Sequence, residues 1–224
     1  MNEPRGIVFH DFDSATKVFS AHALPAWTNG DLIHIDPLVA DWQRIFLSAI
    51  PCDVADDIFR DVSNYYLFLD IRDVATIVGH EVTHHMGCFA RTFDAEINDA
   101  MWFEEGMCFY LPRKRLLFSQ RFEALMRAEA LLIELHRDQY GEHPVWRFGG
   151  SSVDGGGFVA ALFDYWRATS AVRTIVEEYA SGDVRKVLRV FEYWVEHLSS
   201  EQRFFDYVME TFHVPDVCRQ KLAF

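Results

Sequence analysis

The chain has 224 residues and a mass of 26.0 kDa, and its 50% hydrophobic and 15% aromatic content is enough for one sizeable packed core or a two-lobed unit around one cleft. A net charge of −13, from 21 Lys and Arg against 34 Asp and Glu, speaks against a nucleic-acid backbone or an anionic membrane as partner. No apolar run approaches the ~20 residues that span a bilayer, the first residues lack the order of a secretion signal, and Cys52, Cys88, Cys108 and Cys218 form no Cys-x-x-Cys pair, so a cytoplasmic protein with reduced thiols is expected.

In chain order, Gly6 to His10 and Asp31 to Ile35 are short apolar or alternating runs near the turn signal Asn29-Gly30, and both read as strands of a small sheet. Ser14 to Ala23 reads as a short helix between them. From Pro37 to Phe68 the pattern turns helical, with a break at Pro51-Cys-Asp53. His10, His22 and His34 lie in this part and read as ordinary strand or loop histidines, since none has ligand spacing to another.

The next stretch is Ala75-Thr-Ile-Val-Gly-His-Glu-Val-Thr-His-His-Met-Gly87. Val74, Ile77, Val78 and Val82 recur at helical spacing, Asp70 or Asp73 is placed to cap the start, and Gly87 to end the helix. His80 and His84 then stand one turn apart on one face, so two imidazoles can reach one metal ion. Glu81 projects about 100° from His80 and can serve as a base on a water without binding the metal. With 10 His and 15 Glu in the chain, random placement gives about 0.03 such His-Glu-x-x-His matches, which argues against coincidence.

Two histidines need a third protein ligand. Phe93 to Leu111 reads as a second helix that Pro112 ends, and its Trp102-Phe-Glu-Glu-Gly106 segment offers a carboxylate. Glu104 and Glu105 differ by about 100° on a helix, so one of them at most faces the metal squarely. The glycine-rich stretch Gly149 to Gly157 lacks the lysine and spacing of a phosphate-binding loop and reads as a loop lining the cleft. Arg113 to Tyr140 and Phe158 to His213 read mostly as amphipathic helix forming the core.

The two motifs resemble those of the gluzincin metallopeptidases, in particular the catalytic domain of M1-type aminopeptidases and leukotriene A4 hydrolase. These carry His-Glu-x-x-His and then a segment close to Trp-Leu-Asn-Glu-Gly with a Tyr-Leu shortly after. Here Trp102-Phe103-Glu104-Glu105-Gly106 is followed by Tyr110-Leu111, and the resemblance covers roughly residues 70 to 200. It implies that Glu105 is the third zinc ligand and that Glu104 takes the family's asparagine position. Replacing Glu104 is then expected to leave zinc content near normal and to affect substrate handling at most.

The chain departs from the family in four ways. The 20 residues between His84 and Glu105 exceed the usual number, no Gly-Ala-Met-Glu-Asn motif occurs, and the large N-terminal β domain is missing. The family's oxyanion-binding tyrosine aligns, on Gly157-Phe158, with Asp154, and an ionised aspartate cannot donate a hydrogen bond. Tyr140, His143 and Tyr165 are the candidate substitutes.

These readings combine into an α+β, two-lobed, thermolysin-like zincin over 1–224: a small N-terminal sheet lobe (1–70), the metal-site helices (71–112) and a mainly helical C-terminal lobe (113–224). The expected activity is peptide-bond hydrolysis of a peptide or protein substrate, with Zn²⁺ on His80, His84 and Glu105, Glu81 as base, and Glu104, Asp154 and Tyr165 as substrate-binding candidates. The alternative is a catalytically silent zinc- or peptide-binding module of the same fold.

Overall fold

Short apolar or alternating runs near the N-terminus produce two strands, and pairing with one of them makes a third. The computed structural model, which describes residues 4–18, 25–89, 98–149 and 157–224, has β1 (Gly6–Phe9), β2 (Ala26–Asn29) and β3 (Leu32–Ile35) in the sheet order β1-β3-β2, with β1 parallel and β2 antiparallel to β3. The expected strands are present, with β2 as an addition. Gly30, at φ 58°, takes the backbone conformation that the tight β2–β3 turn needs and that other residues resist. The expected Ser14–Ala23 helix is a single π-helical turn, Ser14–Val18, and its remainder lies outside the described residues.

Ile33 and Ile35 are fully buried on one face of β3. On the other face, strand pairing brings His10 Nε2 to 2.8 Å from His34 Nδ1, with Trp27 stacked on His34 at 4.8 Å. Twenty-four positions of sequence separation hid that pairing, and His22 lies outside the described residues.

The rest is helical: α1 (Val39–Ser48), α2 (Asp56–Leu67), α3 (Ile71–His84), α4 (Met101–Leu116), α5 (Ser119–Tyr140), α6 (Gly157–Thr174), α7 (Val184–His197), α8 (Phe204–Thr211) and α9 (Asp216–Ala223). The break at Pro51 separates α1 from α2. Among the described residues, no helix is long and apolar enough to cross a membrane, and all four cysteines are free thiols. The architecture is thus mostly helical with a small three-stranded sheet, an α+β chain.

Helix α4 lies between α3 and α6 and organises the core. Trp102 and Phe103, both fully buried, pack with Phe191 and Phe204; ring centroids of Phe103 lie 5.0 Å from Phe191 and 4.8 Å from Phe204. Burial of such rings contributes about 3 kcal/mol each at the upper end. Two glycines set how closely the helices approach. A Cβ on Gly79 would meet Pro112 Cβ at 2.5 Å, and one on Gly106 would meet the Ala168 carbonyl oxygen at 2.4 Å.

Pro112 therefore corrects an expectation. It does not end α4, which continues to Leu116. A proline inside a helix costs ~3 kcal/mol or more in lost hydrogen bonding and ring clash, but here its ring is seated in the space that Gly79 leaves on α3.

Candidate metal centre

Helix α3 starts on a reciprocal cap. Asp70 Oδ1 accepts from the Arg72 N–H at 2.7 Å, and Asp73 Oδ2 accepts from the Asp70 N–H at 2.8 Å, so both aspartates share the role assigned to either one. The helix ends at His84, three residues before Gly87. There His85 Nε2 lies 3.0 Å from Thr28 Oγ1 and ties the helix end to β2. Between these ends, helical spacing carries His80 and His84 to the same side, facing α4.

Three donor atoms converge at that face. His80 Nε2 lies 3.1 Å from His84 Nε2 and 3.3 Å from Glu105 Oε2, and His84 Nε2 lies 3.6 Å from Glu105 Oε2. All three residues are buried. The point in their plane equidistant from the three atoms is about 1.9 Å from each, just inside the ~2.0–2.2 Å reach of zinc–nitrogen and zinc–carboxylate bonds. Glu105 Oε2 is fully enclosed and makes no hydrogen bond to any described residue. Two imidazole nitrogens and a carboxylate oxygen, packed together with one oxygen unsatisfied, form a donor set that fits a divalent cation.

Electrostatics follow from this crowding. Burial pulls the His80 imidazole down to about 4. Burial also opposes charge on His84, but its neighbours, the Cys108 side chain and the Glu105 carboxylate foremost, hold it well above its usual value. Glu105 is held well below the usual carboxylate range by the facing imidazoles, against the effect of its burial. Ligation through both imidazoles needs their neutral forms, so a cation bound here would compete with protons for the site.

Glu81, one residue past His80, is 6% exposed. Burial pushes its carboxyl up to about 8, with the Glu105 charge adding to the rise and His84 opposing it. That places a titrating carboxyl group near neutrality beside the donor triad, as general acid–base chemistry requires.

The remaining sequence candidates separate clearly. Glu104 is buried, with Oε1 3.0 Å from His84 Nδ1, on the edge of the ring away from the donor triad. Asp154 lies outside the described residues. Tyr140 packs against His136 and Phe163 at 5.7 and 6.0 Å between ring centroids. His143 Nε2 sits 2.7 Å from Asp164 Oδ1, in a network that also takes the Gly149 N–H. Tyr165, on α6, points its ring edge-on at His80 with 6.2 Å between centroids. Burial, followed by the charges of Glu105 and Glu81, raises its phenol well above the usual value, so it stays an O–H donor at neutral pH.

Two neighbours went unread in the sequence. Cys108 Sγ lies 3.5 Å from His84 Nδ1, and the Phe109 ring lies against His80 at 4.1 Å. Their signal was present: Cys108 follows Glu104 by four residues and Phe109 follows Glu105 by four, so each shares a helix face with a site carboxylate. Comparisons of the chain with protein-family models, curated proteins and solved structures find no match.

Proposed function

We propose that this chain is a zinc-dependent peptide hydrolase of zincin-like, two-lobed build, acting on a peptide or protein substrate. The observation that carries the reading is the convergence of His80 Nε2, His84 Nε2 and Glu105 Oε2 within 3.6 Å of one another, with buried Glu81 beside them. His80, His84 and Glu105 would hold the metal; three protein ligands of the His₂Glu type leave a coordination position for substrate or water. Zinc bound there supplies a Lewis acid and an acidified water.

The chain's own groups do the rest. Glu81 accepts the proton of the attacking water and passes it to the leaving amine nitrogen as the C–N bond breaks. Tyr165 donates its phenolic hydrogen to the substrate carbonyl oxygen as that oxygen gains negative charge. His80 is neutral at working pH because its burial holds it down to about 4, so its Nε2 lone pair is available for ligation.

The place of Tyr165 supports the hydrolase over the silent module, whose main support was an aspartate at the aligned tyrosine position. Metal analysis of the purified protein followed by a peptide-library cleavage assay tests the proposal. Stoichiometric zinc with cleavage that a chelator abolishes is the expected result. Zinc at full occupancy with no cleavage would replace the hydrolase by the binding module.

A further inference from the structure

The two candidate histidine ligands are supported differently at their far edges. A histidine that ligates through Nε2 carries its proton on Nδ1, and that N–H needs an acceptor to fix the tautomer and the ring plane. For His84 the described residues bring Glu104 Oε1 to 3.0 Å and Cys108 Sγ to 3.5 Å of that nitrogen. A carboxylate is much the stronger acceptor. For His80 the described residues offer no acceptor: its Nδ1 is enclosed and makes no hydrogen bond to any of them. The His80 ring is held instead against Phe109, whose ring also lies 4.4 Å from the Arg113 guanidinium carbon.

Consecutive residues on α4 thus address opposite edges of one imidazole. Glu105 faces Nε2 of His84 from the donor triad, and Glu104 reaches Nδ1 behind it. The ~100° step between neighbouring helical residues is what allows both reaches from one turn.

We infer that Glu104 is a positioning residue for the metal, a charged acceptor that locks His84 in its ligating tautomer and orientation, whereas among the described residues the far edge of His80 meets packing against Phe109 and no acceptor. The inference rests on the metal reading of the site and is independent of whether the chain hydrolyses peptides. It replaces the sequence-based expectation that Glu104 variants keep near-normal zinc content.

The test uses the full chain loaded with zinc or cobalt(II), measuring zinc affinity by competition with a chromophoric chelator and the visible absorption of the cobalt form. Glu104→Leu removes the acceptor, and zinc affinity falls ~10–100-fold, the range for loss of such an outer partner. Glu104→Gln keeps an acceptor but not the charge; it recovers part of the affinity, with a cobalt band displaced from wild type. Cys108→Ala changes neither readout. Wild-type affinity and spectrum in Glu104→Gln would overturn the charged role, even if the Leu variant fails to fold. A loss reproduced by Cys108→Ala would assign the orienting role to the thiol. A wild type that binds neither metal would overturn the metal reading itself, and this inference with it.

Discussion

Replacing Glu81 by Gln keeps the side chain's shape and removes its titrating carboxyl, and two consequences with different assays follow. The first is energetic and needs no substrate. Burial raises the Glu81 carboxyl to about 8 from an ordinary 4.5. A carboxyl raised in the folded state binds its proton more tightly there than in the unfolded chain, so its contribution is most favourable below pH 4.5 and is lost as pH rises toward 8. At ~1.36 kcal/mol per unit, the metal-free wild type loses about 2.5 kcal/mol from this group alone between pH 5.5 and 7.5. Glu81→Gln has no such loss. Urea denaturation of both proteins with chelator present, at those two pH values, isolates the effect, because every other titrating group is common to the pair. The second consequence is catalytic: loss of the base lowers kcat/KM by ~10²–10⁴-fold, with zinc still bound. An equal pH dependence of stability in the two proteins would refute the claim that Glu81 is a buried carboxyl poised near neutrality.

Glu105→Gln removes the one anionic member of the donor triad, and metal analysis should find zinc largely lost at a concentration that saturates wild type. Tyr165→Phe leaves zinc content and fold intact but lowers kcat by roughly 100-fold, a typical cost of one oxyanion donor; an unchanged kcat would exclude Tyr165 from that role. Gly106→Ala brings a Cβ to 2.4 Å from the Ala168 carbonyl oxygen and should cost ~1–3 kcal/mol, read as a drop in Tm of ~2–4 °C per kcal/mol for a chain of this size.

Much of α3 was legible in the sequence because its signals are local. A 3.6-residue apolar period, two capping aspartates and histidines four apart are decided within one helix. The partner of those histidines was not local. Helical geometry left Glu104 and Glu105 open, and only the resemblance selected between them; in the structure Glu105 Oε2 meets the two Nε2 atoms while Glu104 turns to His84 Nδ1. Pro112 misled because its usual helix-ending effect was weighed without its neighbour: the space for its ring is set by Gly79, thirty-three positions earlier. Strand β2 went unread for a similar reason. Four residues, Ala26 to Asn29, carry little periodic signal, and the strand is defined by its pairing with β3.

The close crossing at Gly106 bears on how the site itself can change. Turning α4 by one residue would bring Glu104 to the place of Glu105 at the donor triad and move Glu105 to the place of Gly106. It would also carry Gly106 away from Ala168 and press a residue with a side chain into the α6 backbone. The register of the two acidic side chains is therefore locked from the opposite side of the helix, by an atom that Gly106 does not have. Any descendant or design that moves the ligand by one position along α4 must first relocate the glycine that makes room for Ala168.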